Sequence, residues 1–245
     1  MNSGIYAACA GLMTRMQSLD NIASNVANSS STGFRGQTAS FGTTLAEAAH
    51  HGNLSSLNQT ANSFSQMTST QLDQTQGVLS RTGNDLDVAV QGSGYFKVLT
   101  ATGTAYTRNG NFQLDTAGKL VTASGDAVMG EGGPIMLDKG PVSISGDGTI
   151  TQNGAITGKL AVVTFKPGTN MQQRGIAYYT APPNTEQKAV GASVQQGALE
   201  GSNVSPIDGM VQLISAQRAA ESMRHVLTLI DTDMNKTAVD LAHVG

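Results

Sequence analysis

The sequence predicts an α+β fold in which long N- and C-terminal helices form a coiled-coil-like pair, with a β-rich domain and an extended connector inserted between them. Two observations predict it. Both ends of the 245-residue chain carry apolar residues at spacings of three and four, which is the period of a helix seam. The region between them has short apolar runs separated by glycines, a pattern typical of strands and turns.

These patterns divide the chain into four parts. Residues 1–28 form the N-terminal helix, which is expected to build an inner tube together with residues 206–245. Residues 29–76 are the connector, residues 77–200 the β-rich outer domain, and residues 201–245 the C-terminal helix with its lead-in.

The N-terminal helix is predicted from its apolar spacing. Spacings of four and three alternate, so the apolar residues occupy one narrow seam. Asn2 or Ser3 is a suitable N-cap. The seam residues are Ile5, Cys9, Leu12, Met16, Leu19, Ala23 and Val26.

The C-terminal helix is predicted to begin near Ile207. Ser205 and Pro206 fit an N-cap followed by a proline in the first turn, and the periodic pattern continues from there to the end of the chain. Its seam residues are Leu213, Ala216, Ala220, Met223, Leu227, Ile230, Met234 and Leu241.

A seam this narrow calls for a partner helix along its length. We therefore expect the two terminal helices to pair, in either relative direction. The seam of a single pair buries too little apolar surface to offset the entropy lost on ordering both helices. The sequence accordingly predicts helices that gain order from neighbouring molecules.

The connector is predicted from its composition. Residues 29–76 contain only three charged residues, Arg35, Glu47 and Asp73, and show weak periodicity. Polar segments of this kind are typical of extended, adaptable linkers.

The β-rich domain is predicted from short apolar runs and turn signals. Lys and Pro residues flank a mixed stretch at 166–183, which is predicted to be a loop with an edge strand, and Tyr178 and Tyr179 are predicted to be packing residues. The predicted strands cover residues 88–90, 95–99, 112–114, 142–144 and 160–165.

Hairpin turns are predicted at two Asn-Gly pairs, Asn109-Gly110 and Asn153-Gly154. Both residue types tolerate the positive φ that a type I′ turn requires. The Asp-Gly pair at 147–148 is a third candidate.

The composition excludes several classes of function. Fourteen basic and seventeen acidic side chains give a net charge of −3 without a basic cluster, so nucleic-acid binding is not expected. No stretch approaches the ~20 apolar residues of a membrane span, so no membrane insertion is expected. Arg15 follows the first apolar residues, which is the wrong order for a cleavable secretory signal. Cys9 is predicted to be a small core residue.

An enzymatic interpretation would rest on Asp85 and Asp87, which project from the same face and could form a glycosidase-like carboxylate pair. No third polar group accompanies them, so a turn aspartate and a solvated one are favoured. His50 and His51 are adjacent and diverge, without further ligands at metal-binding spacing. The Gly-Ser-Gly run at 92–94 precedes a strand, unlike a phosphate loop. No catalytic residue, metal site or cofactor is predicted.

Several segments resemble signatures of the flagellar rod and hook protein family. They lie at residues 21–35, 82–96, 106–122 and 196–218, in the order that family shows. The motif residues are Asn25, Asn28, Gly33, Phe34, Gly92, Gly94, Asn109, Gly110, Glu200, Gly201, Ser202 and Asn203.

This resemblance implies a structural, non-enzymatic subunit of the flagellar basal-body rod. The stretches 128–135 and 158–165 look more like the proximal rod type than the distal one, which stays the alternative. The implied partners are other copies of the chain, other rod proteins, the flagellar export apparatus before assembly, and ring proteins. The implied location is the periplasm-spanning rod, reached without a cleaved signal peptide. A peptidoglycan-active enzyme and an adhesin-like binding module are alternatives of other classes.

Overall fold

The structure is a computed structural model that describes residues 2–39, 70–166 and 168–243. The chain divides into two compact units. The first, here called the helical unit, comprises Met1–Val26, Gln37–Gln71 and Pro206–Gly245. The second, the β unit, comprises Ala27–Gly36 and Leu72–Ser205.

The helical unit contains two helices, α1 over Asn2–Ala27 and α2 over Pro206–His243. The helix α2 begins at the proline, whose fixed φ and missing N–H suit a first turn. The two helices approach each other closely at Gly209, where an added Cβ would lie 2.5 Å from Cγ2 of Val26. An added Cβ at Gly11 would lie 3.5 Å from Cε of Met223, so the helices run antiparallel.

Nineteen strands are described, most of them three to five residues long. They are β1 Gln37–Ala39, β2 Thr70–Leu72, β3 Leu79–Arg81, β4 Val88–Gln91, β5 Tyr95–Thr100, β6 Gly103–Thr107, β7 Phe112–Leu114, β8 Leu120–Thr122, β9 Ala127–Gly130, β10 Gly133–Pro134, β11 Val142–Ile144, β12 Thr149–Gln152, β13 Ala155–Lys159, β14 Val162–Phe165, β15 Gln172–Arg174, β16 Tyr178–Thr180, β17 Glu186–Lys188, β18 Ser193–Gln196 and β19 Ala198–Glu200.

The largest sheet has ten strands in the order β15-β16-β6-β5-β9-β8-β7, with β10 on β9 and the pair β14-β17 attached to β5. Every described pairing is antiparallel. The strand β5 forks this sheet, because Phe96 pairs with Val162 of β14 whereas Val98 pairs with Val128 of β9.

Four smaller sheets complete the fold: β11-β12-β13, β18-β4, β19-β3 and β1-β2. The pairs β18-β4 and β19-β3 join strands from opposite ends of the β unit's sequence. Glu200 of β19 lies opposite Leu79 of β3, so the last strand of the β unit returns to its first.

The hydrophobic core lies in the β unit. One cluster contains Phe96, Leu120, Val128, Ile150 and their neighbours, all fully buried. A second, largely aromatic cluster contains Tyr95, Tyr106, Val163, Met171 and Tyr179.

The predicted fold class was wrong. The described chain has nineteen short strands against only two helices, and its hydrophobic core lies in the β unit. Among the described residues, no hydrophobic side chain of either helix is fully buried, so a coiled-coil-like helix pair does not organise the fold. Spacings of three and four identify the apolar face of a helix but not what covers that face.

Two smaller predictions were also wrong. Cys9 is exposed rather than buried, because apolar spacing identifies a helix face but does not determine whether that face is covered within the chain. Asn109 and Gly110 do not have positive φ and do not form a type I′ turn. Gly110 is instead packed against the main chain of Val88, whose carbonyl oxygen an added Cβ would overlap.

Several local predictions are confirmed. The predicted strands coincide with β4, β5, β7, β11 and β14. Asn153 and Gly154 have φ of 52° and 80° and connect the hairpin β12-β13. Tyr179 is fully buried as a packing residue. The stretch 166–183 contains β15, an edge strand of the large sheet, and β16 beside it.

Of the two aspartates that were expected to be a turn residue and a solvated residue, only Asp85 is exposed to solvent. Asp87 is buried and its Oδ1 accepts a hydrogen bond of 3.1 Å from Nδ2 of Asn111. His50 and His51 lie outside the described residues. Within the described ranges, no group of three potential metal ligands is found. Neither helix has a described stretch apolar enough to cross a membrane.

Candidate functional site

Two arginines and one glutamate form a buried charged cluster in the β unit. Nη2 of Arg35 lies 2.7 Å from Oε1 of Glu200, and Nη1 of Arg108 lies 3.0 Å from Oε2 of the same carboxylate. The three side chains are 1 to 3% exposed. We call Arg35, Glu200 and Arg108 the Arg–Glu–Arg cluster.

Main-chain groups complete the cluster. Arg35 donates to the carbonyl oxygen of Thr75, and Arg108 donates to those of Val90, at 3.1 Å, and Gly92, at 2.7 Å. Oε1 of Glu200 accepts a 3.0 Å hydrogen bond from the backbone N–H of Gly77. Thr75, Gly77 and Gly92 lie outside the strands, whereas Val90 lies in β4, so the cluster fixes loop segments together with one strand.

Two tyrosines, Tyr95 and Tyr179, contact the arginines of the cluster. The guanidinium of Arg108 lies over the ring of Tyr95, 5.1 Å from its centroid, a cation–π geometry. The hydroxyl oxygen of Tyr179 accepts from the backbone N–H of Arg35 at 2.9 Å and donates to the carbonyl oxygen of Gly33 at 3.4 Å. Burial raises the pKa of both tyrosines and lowers the pKa of Arg108.

The cluster is held by a main-chain contact between the two ends of the β unit. The backbone N–H of Gly33 donates to the carbonyl oxygen of Glu200 at 2.7 Å. Gly33 has φ of 68°, and a Cβ there would overlap the backbone nitrogen of Asn109. Only glycine fits such a conformation at such close approach. Phe34, the next residue, is fully buried.

Asn203 fastens the same ends with its side chain. Its Oδ1 accepts from the backbone N–H of Gly36 at 2.8 Å, and its Nδ2 donates to the carbonyl oxygens of Asp73, at 3.0 Å, and Thr75, at 3.1 Å. One side chain thus joins the segment after α1, the segment before β3 and the segment before α2. Asn provides both the donor and the acceptor that this position uses.

The remaining motif residues of the β unit serve its backbone packing. A Cβ at Gly94 would lie 2.7 Å from Cγ1 of Val162. Gly201 donates its backbone N–H to the carbonyl oxygen of Val78 at 2.9 Å. Oγ of Ser202 accepts a hydrogen bond from the backbone N–H of Val204 at 3.1 Å. The carbonyl oxygen of Asn28 accepts one from the backbone N–H of Ser31 at 3.0 Å.

Asn25 performs a similar task within the helical unit. Its Nδ2 donates to the carbonyl oxygen of Gln37 at 2.8 Å, and its Oδ1 accepts from the N–H of Gln37 at 2.9 Å. The amide therefore pairs with one residue of β1 as a neighbouring strand would.

An open groove of about 740 Å³ on the large sheet is a second place where a ligand could contact the β unit. Its charges are already paired. Nζ of Lys97 lies 2.9 Å from Oε1 of Glu186, and Nζ of Lys188 lies 2.9 Å from Oε1 of Glu131. Burial, followed by the hydrogen bond that Tyr106 donates to Glu186, raises the pKa of Tyr106 to about 12.

Comparison with known proteins identifies the family. A sequence model described as the flagellar hook protein FlgE/F/G D1 domain matches residues 89–157, and one described as the flagellar basal body rod FlgEFG protein C-terminal region matches residues 195–240. The chain is 35% identical over 229 residues to the flagellar basal-body rod protein FlgF of Mesorhizobium japonicum, an alignment covering 91% of this chain and 90% of the relative. The chain belongs to the flagellar basal-body rod protein family.

Other members of this family are similar over nearly their whole length. FlgF of Salmonella typhimurium is 33% identical, covering 94% of this chain and 95% of the relative. The flagellar basal-body rod protein FlgG of Bacillus subtilis is 30% identical, covering 94% and 96%. The resemblance to this family is thereby confirmed, and the chain is a FlgF-like rod protein.

The two regions that the rod-family models match each contribute to the cluster. Arg108 lies in the first region and Glu200 in the second, whereas Arg35 lies in neither. Sequence reasoning named Glu200 as a motif residue but missed both arginines as its partners. A signal that could have pointed to the two arginines was the low content of charged residues, 13% of the chain, because a charged residue within a motif is then unusual.

The seam residues whose side chains the structure describes are half-buried or exposed in this rod-family chain. Cys9 and Met16 are exposed. The side chains of Ile5, Ile230, Met234 and Leu241 lie outside the described residues. The half-buried seam residues are Leu12, Leu19, Ala23, Val26, Leu213, Ala216, Ala220, Met223 and Leu227.

A second apolar face is present on α2. Ile207, Met210, Val211 and Ile214 lie in its first turns, and each is more than half exposed. Their spacings of three and four place them on one side of the helix, whereas the half-buried Leu213 and Ala216 lie on the other. We call these four residues the α2 apolar patch. A helix that is apolar on two sides is typical of one covered on two sides.

Proposed function

We propose that the chain is a structural, non-enzymatic subunit of the flagellar basal-body rod, of the proximal type, which polymerises through its terminal helices. The observation that carries this proposal is the exposed apolar surface of the helices, above all the α2 apolar patch. The names of the relatives, flagellar basal-body rod proteins FlgF and FlgG, support it.

In this proposal the seam and the patch contact neighbouring subunits, and the helices together line a tube that encloses the export channel and transmits torque. Partners are further copies of the chain and other rod proteins. Export through the flagellum's own channel without a cleaved signal, contact with ring proteins, and the four-part domain division stay predictions.

The buried charges favour a structural role over catalysis. The cluster's carboxylate is shared by Arg35 and Arg108, and the guanidinium groups also donate to backbone carbonyls. A general acid or base must reach its substrate within hydrogen-bond distance. Glu200 is fully buried, which suits a fixed structural carboxylate. The distal rod type is the nearest alternative, since FlgG relatives align over a comparable share of the chain.

The test replaces one exposed valine at a time in the chromosomal gene. Val211→Asp puts a carboxylate into the α2 apolar patch, at a side chain that is 64% exposed. We expect the purified variant to unfold within about 0.5 kcal/mol of the parent, because exposed positions tolerate polar residues. The same variant should be absent from isolated basal bodies, and its cells should not swim, because a charge cannot be buried in an apolar interface.

The matched control is Val190→Asp, the same chemical change in the loop between β17 and β18, at a side chain that is 93% exposed. It should be present in basal bodies at the parent level, and its cells should swim. If Val211→Asp were also incorporated and its cells swam normally, assembly through the helix surface would be refuted.

A further inference from the structure

We propose that Asn153 is a site of spontaneous deamidation, a modification that converts its side-chain amide to a carboxylate. Asn153 begins the turn of the hairpin β12-β13, and both it and Gly154 are exposed. Asn153 is one of two non-glycine residues with positive φ in the described chain. The site therefore combines an exposed amide, a strained backbone and a following glycine.

The reaction needs only water. The backbone nitrogen of Gly154 attacks Cγ of Asn153 and forms a C–N bond, while the bond from Cγ to Nδ2 breaks. The proton of the attacking nitrogen passes through solvent to the leaving group, which departs as ammonia. Water then opens the cyclic imide at either carbonyl and leaves aspartate or isoaspartate. The balance is one water consumed and one ammonia released.

The surroundings of Gly154 favour attack by its nitrogen. An added Cβ at this residue would meet no atom within 4 Å, so the space beside its Cα is open. Glycine also lacks the side chain that would crowd ring closure, and it adapts to the change in φ and ψ that closure requires.

The second Asn-Gly pair, Asn109-Gly110, could undergo the same reaction, but its main chain is packed and hydrogen-bonded. The carbonyl oxygen of Gly110 accepts from the backbone N–H of Val88 at 3.0 Å, and Gly110 is buried. Oδ1 of Asn109 accepts from the backbone N–H of Asn111 at 3.0 Å. Ring closure at Asn109 must move this packed main chain, so it requires local opening first.

A third asparagine distinguishes the effect of backbone conformation on the deamidation rate from the effect of the following residue. Asn184 is exposed and has φ of 63°, close to that of Asn153, but Thr185 follows it. The branched side chain of threonine crowds the attacking nitrogen. Asn184 should therefore react more slowly than Asn153 despite its similar backbone.

Deamidation at Asn153 would disturb the contacts of its buried neighbour Gln152. Gln152 accepts from the backbone N–H of Asp138 at 2.9 Å and donates to its carbonyl oxygen at 2.6 Å. Gln152 also pairs with Ala155 across the hairpin. Isoaspartate adds a methylene to the main chain directly after Gln152 and shifts this register, whereas aspartate adds only a negative charge.

The experiment incubates the full-length purified chain in mildly alkaline buffer and follows each asparagine by peptide mass spectrometry, with released ammonia measured in parallel. Asn153 should convert at least about tenfold faster than Asn109, which corresponds to about 1.4 kcal/mol of local opening. In concentrated urea the two Asn-Gly pairs should convert at equal rates, because the protection of Asn109 is structural.

Asn153→Asp supplies the control, since aspartate also fits this turn. This variant should lose the fast phase of ammonia release and keep the slow one. Equal conversion of Asn153 and Asn109 in the folded chain, or an unchanged Asn153 while the urea sample reacts, would overturn the proposal.

Discussion

At the scale of single residues, Glu200, one motif residue of this rod-family protein, is the centre of a buried charged cluster. Glu200 receives two guanidinium groups and a backbone N–H, and its own carbonyl oxygen accepts from Gly33. A buried ion pair adds little net stability compared with a well-packed apolar core, but removing one partner leaves uncompensated buried charge. The cluster therefore tolerates loss of its carboxylate poorly.

Glu200→Gln tests this point. The substitution keeps the size of the side chain but leaves two buried guanidinium groups without a counter-charge, so we expect the free energy of unfolding of the β unit to fall by about 3 to 5 kcal/mol. Urea titration followed by tyrosine fluorescence measures it. Glu186→Gln is the matched control, because the Lys97–Glu186 pair is about one-third exposed and an exposed pair contributes at most about 1 kcal/mol. Equal losses in the two variants would contradict the cluster's structural role.

At the scale of secondary-structure elements, local signals in the sequence were reliable and long-range ones were not. The position of Pro206 and the Asn-Gly turn at Asn153 follow from φ preferences of neighbouring residues, so they could be predicted. The failure at Asn109-Gly110 has a long-range cause, because contact with Val88 holds that main chain instead. The pairing of β19 with β3 likewise joins segments far apart in sequence.

The helix crossing at Gly209 gives a prediction for an element. Alanine there would place Cβ 2.5 Å from Cγ2 of Val26, a β-branched side chain that has little freedom to move away. Overpacking of this kind costs about 1 to 3 kcal/mol, which exceeds the ~1 kcal/mol that alanine gains over glycine within a helix. We expect Gly209→Ala to lower the urea midpoint of the helical circular dichroism signal.

Gly11→Ala is its control on the other helix. Its Cβ would lie 3.5 Å from Cε of Met223, an ordinary van der Waals distance, so helix propensity should dominate and the midpoint should rise slightly. If Gly209→Ala raised the midpoint as much as Gly11→Ala, the close crossing would be disproved.

At the scale of the whole molecule, stability is distributed unevenly. The β unit holds all of the fully buried hydrophobic side chains among the described residues, together with the Arg–Glu–Arg cluster. The helical unit has apolar residues that are half-buried or exposed. The seam periodicity identified an apolar helix face, but sequence periodicity carries no information on whether that face is covered within the chain or by a neighbour. This is why the family could be recognised from motifs while the fold class was mispredicted.

This distribution predicts two separate unfolding transitions for the isolated chain. The helical circular dichroism signal should be lost at lower urea than the tyrosine fluorescence signal, because four of the five tyrosines lie in the β unit and the chain has no tryptophan. Gly209→Ala should shift only the first transition and Glu200→Gln only the second. In isolated basal bodies, where the proposed neighbours cover the helices, protease digestion should spare α2, whereas in the free chain α2 should be cut before the β unit. A single coincident transition, shifted by both substitutions, would mean that the helices draw their stability from the β unit rather than from other subunits.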